Sequence, residues 1–68
     1  MRVVVNGQAR DLDAQTTVQK LVDSLPDAPS GRGVAVALDG EVVPRGQWTN
    51  TKLDEGTRVE IVVAVQGG

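Results

Sequence analysis

The chain predicts an α+β fold in which a mixed sheet of four to five strands packs on one principal helix. Three features carry that expectation. Two strand-spaced segments are each broken by a two-residue hairpin signal, Asn6-Gly7 and Asp39-Gly40. Val18, Leu21, Val22 and Leu25 recur at helical spacing on one stripe. The segment Val59 to Ala64 alternates again at period two, putting Val59, Ile61 and Val63 on one face and Glu60, Val62 and Ala64 on the other.

The elements follow in order. Met1, Val3 and Val5 alternate with Arg2, Val4 and Asn6 as a first strand, and Gln8 to Leu12 return from the turn. Thr16 with Gln19 three positions on has the spacing of a capping box and sets the expected helix start, with Pro26 ending the helix. The Pro, Ser and Gly cluster at 27–33 reads as a loop. Its Gly31-Arg32-Gly33 is no phosphate cradle, because it is followed by the strand Val34 to Leu38 instead of a helix. That strand, near-continuously apolar, reads as buried, and Glu41-Val42-Val43 returns from the second turn until Pro44 stops the ladder. An irregular connection follows, in which Leu53 is expected to plug the core and Asp54-Glu55-Gly56 to turn into the last strand. Trp48, the sole aromatic residue, reads as a lid over a thin core in preference to a partner anchor.

Composition narrows the function classes. At 68 residues the chain offers one domain, 1–68, and little room for a large buried pocket. With 40% apolar residues and no Phe or Tyr, the core must come from short aliphatic side chains. No Cys and no His means no thiolate, no cysteine nucleophile and no imidazole base, so a self-contained enzyme is not expected, nor a metal site. The start Met1 to Val5 is interrupted too soon for a signal segment, and no stretch is long enough to span a membrane. A cytoplasmic location is expected. A net charge of -2, with Lys and Arg scattered, speaks against nucleic acid and leaves proteins as the expected partners.

The order of hairpin, helix, hairpin, connection and final strand is the β-grasp (ubiquitin-like) plan, provided the last strand lies parallel beside the first. Val4, Val62 and Ala64 would then form a small apolar patch on the open face, beside a flexible tail, 65–68. The tail ends Gln66-Gly67-Gly68, and without side chains its last two residues leave a sterically minimal carboxylate. Three extended residues carry it about 10 Å into a narrow cleft. An end of this kind reads as a substrate for another enzyme. Arg45, after the second hairpin, is a candidate for pairing with an acidic partner surface, although a lone Arg there is commonly solvated.

The opening strand with Asn6-Gly7, the Thr17-Val18 helix start, the run Val34 to Asp39-Gly40-Glu41-Val42-Val43-Pro44-Arg45-Gly46-Gln47-Trp48, the turn Leu53 to Gly56 and the end Ala64 to Gly68 together resemble the ThiS family of sulfur carriers in thiamine biosynthesis. The resemblance covers the whole chain. Val43-Pro44-Arg45 with Gln47-Trp48 is its discriminating part, since a terminal diglycine also occurs in the small subunit of molybdopterin synthase and in ubiquitin-like modifiers. Asp39 departs from an Asn found as often there, and Asp-Gly supports the same turn.

The resemblance implies adenylation of the Gly68 carboxylate by a ubiquitin-activating-like adenylyltransferase that uses ATP and magnesium. Sulfur reaching it by a cysteine desulfurase route would form a thiocarboxylate for thiazole synthase. The carrier would bind no cofactor stably and would be a monomer when free. A molybdopterin-synthase-like carrier, a ubiquitin-like modifier and a plain β-grasp interaction module stay open as alternatives.

Overall fold

The computed structural model describes residues 1–25 and 33–64. Pro26, nearly all of the expected 27–33 loop and the 65–68 tail lie outside them. Five strands form one mixed sheet: β1 (Arg2–Val5), β2 (Gln8–Asp11), β3 (Val34–Leu38), β4 (Glu41–Val42) and β5 (Arg58–Val63), in the spatial order β2-β1-β5-β3-β4. Helix α1 (Val18–Asp23) follows the first hairpin. β5 pairs parallel to β1 with Val5 opposite Val59, and antiparallel to β3 with Val36 opposite Ile61. The last strand is therefore central, and the expected β-grasp plan holds.

Both hairpin signals act as read. Asn6 and Gly7 have φ of 49° and 82°, Asp39 and Gly40 of 49° and 89°, so both central residues of each turn are left-handed, as a type I′ turn needs. That geometry matches the twist of the strands it joins, which is why Asn-Gly and Asp-Gly serve.

The helix starts one residue later than the spacing suggests. Thr17 is the cap: its backbone is extended and its Oγ1 accepts from the Lys20 N–H at 3.1 Å. Thr16 is unavailable because it is buried, its Oγ1 donates to Asp13 O at 2.6 Å, and its carbonyl accepts from the Leu53 N–H. Gln19 closes no capping box and instead donates to Asp23 Oδ1. The helix stops at Asp23, ahead of Pro26, where the Ser24 N–H and hydroxyl both turn back to Leu21 O.

The connection read as irregular holds a 3₁₀ helix, Arg45–Asn50, packed beside α1. It seats Trp48 in the core at 1% exposure, with the indole N–H donating to Val43 O at 3.0 Å. Trp48 is thus a core residue, more deeply placed than a lid. Val3, Val5, Val36, Val59 and Ile61 from the sheet meet Val18, Leu21 and Val22 from α1, with Trp48 and Leu53 filling from the connection. Leu25 and Met1 pack at the margin. β3 is less buried than its sequence suggests: Val36 faces the core while Ala35 is exposed on the other side.

Candidate functional site

β5 positions the site. Its first residues are flanked by β1 and β3, but β1 ends at Val5, opposite Val59, while β5 runs on through Val63. On the β3 side it stays paired to the end of the described strand, where the Ala64 N–H donates to Gly33 O at 2.7 Å. The chain toward Gln66, Gly67 and Gly68 thus leaves from a strand anchored at the centre of the sheet. Those three residues, the strongest candidates in the sequence, lie outside the described residues.

Of the expected open-face patch, Val62 and Ala64 are exposed, Val62 at 65%. Val4 belongs to the same face but not to the same patch. It pairs with Arg58, so along β5 it stands four residues below Val62, about 13 Å away at the rise of a strand. The parallel register is the reason: β1 meets only the beginning of β5. Around Val4 the face turns polar, with Arg58 beside it and Arg2 donating to Asp11 Oδ1 at 3.3 Å. That hydrogen bond, reinforced by the charge of Asp11, raises the Arg2 pKa above the usual guanidinium range.

The neighbours of Val62 come from β3 and β4. Ala35 stands directly opposite Val62, Ala37 opposite both Glu60 and Val42, and Val42 is 73% exposed. Val62, Ala35, Ala37 and Val42 make an apolar diagonal beside the exit of the chain. The sequence carried a signal for it: along β3 small Ala35 and Ala37 alternate with larger Val34, Val36 and Leu38, the pattern of a strand with one deep and one shallow face.

Arg45 sits elsewhere. It opens the 3₁₀ helix that packs beside α1, and its guanidinium lies over the Trp48 ring, 5.7 Å from the centroid. A cation over an indole face is a favourable contact. It ties Arg45 to the helical layer and not to the patch around Val62.

The described residues contain no group of three or more His, Cys, Asp or Glu side chains that could hold a metal. No helix in them is long and apolar enough to cross a membrane. What the described residues present is an apolar face on the central strand that precedes residues 65–68.

Comparison with known proteins agrees with this fold. The chain is 34% identical over its whole length to a thiazole synthase of Paramagnetospirillum magneticum, of which it spans only 20%. It is 29% identical to the sulfur carrier protein ThiS of Escherichia coli, with both chains covered completely. The crystal structure of the thiamine biosynthesis protein ThiS from Geobacter metallireducens superposes with a TM-score of 0.80 at 30% identity, each chain fully covered. A solution structure of a thiamine biosynthesis protein from the same organism gives 0.79 at 31% identity, over all of this chain and 88% of that one. The model of the ThiS family matches residues 3–68, and the chain belongs to that family.

Proposed function

We propose that this protein is a sulfur carrier of thiamine biosynthesis whose reacting group is the Gly68 carboxylate. The observation that carries the reading is the family match, which runs through residue 68 of a chain whose last described strand, β5, is the centre of the sheet. A carboxylate does not acylate sulfur at neutral pH, and this chain has neither Cys nor His with which to activate one. The carrier is therefore a co-substrate. A ubiquitin-activating-like adenylyltransferase would supply ATP and magnesium. The carboxylate attacks the α-phosphorus, pyrophosphate leaves, and Gly68 becomes an acyl-adenylate. The terminal sulfur of a persulfide, charged by a cysteine desulfurase route, then attacks the acyl carbon and AMP leaves. A thiol attacks the inner sulfur of the resulting acyl disulfide, forming a disulfide with the persulfide's parent cysteine and leaving the outer sulfur on Gly68 as a thiocarboxylate. Thiazole synthase takes that sulfur, a role favoured by the similarity to a segment of a thiazole synthase. The carrier works in the cytoplasm, as a monomer between partners.

The test is pyrophosphate exchange with the cognate adenylyltransferase, followed by intact mass for replacement of one oxygen by sulfur. Gly68→Ala folds normally and is adenylated poorly, because a methyl beside the reacting carbonyl obstructs both attacks. One residue added after Gly68 moves the carboxylate about 3.5 Å further and has a similar effect, since about 1 Å of misplacement already costs about a hundredfold in rate. Conversion of both variants at the parent rate would remove the diglycine from the mechanism. Isopeptide adducts of Gly68 on lysines, with no thiocarboxylate, would favour a modifier instead.

A further inference from the structure

We infer that Asn6 is a positioning residue for the reacting tail, a role that rests on the carrier reading above. β1 ends at Val5, yet Ile61 on β5 still directs its N–H and C=O toward the side that β1 has left. Asn6 supplies the missing partners. Its backbone N–H donates to Val59 O at 2.9 Å, its side-chain Oδ1 accepts from the Ile61 N–H at 2.8 Å, and its Nδ2 donates to Ile61 O at 3.1 Å. One carboxamide thus stands in for a peptide group and extends the parallel ladder beyond the strand that begins it. The left-handed turn at Asn6, φ 49°, brings the side chain back over β5.

The other hairpin holds a matched device at the opposite end of β5. Asp39, also at φ 49°, accepts from the Arg58 N–H through Oδ1 at 2.9 Å, while its own N–H donates to Arg58 O at 2.8 Å. The residue types follow the need. Arg58 C=O already has a backbone partner, so an acceptor-only carboxylate suffices there; Ile61 needs a donor and an acceptor together, which Asp cannot provide and Asn can. Only the Asn6 clamp lies toward the reacting end, seven residues before Gly68 against ten for Asp39's partner by the numbering. Losing it frees the β1 side of β5 from Ile61 onward, while the register with β3 keeps Val62 and Ala35 in place. The carrier then docks as before but delivers its carboxylate less accurately.

Asn6→Gly and Asp39→Gly in the full chain separate this role from turn stability, since glycine keeps both left-handed turns and deletes one side-chain clamp in each. With both variants folded, Asn6→Gly is expected to speed amide exchange at Ile61 by about tenfold or more relative to Asp39→Gly, the mark of local opening. In pyrophosphate exchange with the cognate adenylyltransferase, kcat for Asn6→Gly falls about tenfold, from carboxylate misplacement of under about 1 Å, and KM for the carrier stays within about twofold. Asp39→Gly retains the parent kcat. Equal losses of kcat in the two variants, or parent kcat in Asn6→Gly, would overturn the assignment. A parent chain that supports no exchange at all overturns the carrier reading itself, and this role with it.

Discussion

Leu21→Ala tests the packing on which the whole fold depends. Leu21 is 2% exposed on α1, in the middle of the stripe Val18, Leu21, Val22 that meets the sheet. The change removes three buried carbons, a transfer loss of about 2.4 kcal/mol at about 0.8 kcal/mol each. That is the cost if the surroundings collapse fully; with a residual cavity it reaches about 5 kcal/mol. Helix propensity does not contribute, because Ala is the best helix former, and the Leu21 carbonyl keeps its bonds from Ser24. A chain of 68 residues has about 3 to 10 kcal/mol of stability in all, so the variant loses a large share of it. The buried indole of Trp48 reports unfolding through its emission. With a urea slope of about 1 kcal/mol per molar for a small protein, the midpoint should fall by about 2 M or more. Val42→Ala, at a 73% exposed position, is the control and should stay within about 0.5 kcal/mol of the parent. If Leu21→Ala proved as mild as Val42→Ala, the stripe would not face the core and the packing derived above would be wrong.

Two further outcomes are expected. Trp48→Phe keeps much of the apolar bulk but strips Val43 O of its indole donor, so denaturation followed by circular dichroism should show a loss of about 1 to 3 kcal/mol, against about 3 to 5 for Trp48→Ala. Val62→Asp places a charge on the outer face of β5 while Ile61 and Val63 stay inward. It should leave the melting temperature nearly unchanged and weaken binding to both the adenylyltransferase and thiazole synthase by at least about tenfold, the cost of burying an unpaired charge at an interface; unaltered binding of both by calorimetry would take the apolar diagonal out of the mechanism.

What the sequence determined by itself was local or periodic. Asn6-Gly7 and Asp39-Gly40 specify their turns through two consecutive residues that tolerate positive φ. The helix stripe and the two faces of β5 follow from spacing alone. Tertiary structure decided whatever depends on which strands meet and where. Thr17 displaced Thr16 as the cap because Thr16 was engaged by Asp13 and by Leu53, the latter 37 positions away by the numbering. Val4 separated from Val62 because a parallel register sets it against Arg58, and Ala35, Ala37 and Val42 took its place because β3 and β4 lie on the other flank of β5. Arg45 went to the helical layer when its segment wound into a 3₁₀ turn around the Trp48 anchor. The bonds from Asn6 to Ile61 cross 55 residues of sequence. Periodicity reports the face on which a side chain stands, but the register between distant strands is set by the summed packing and hydrogen bonding of the assembled sheet, and that sum decides which residues share a site.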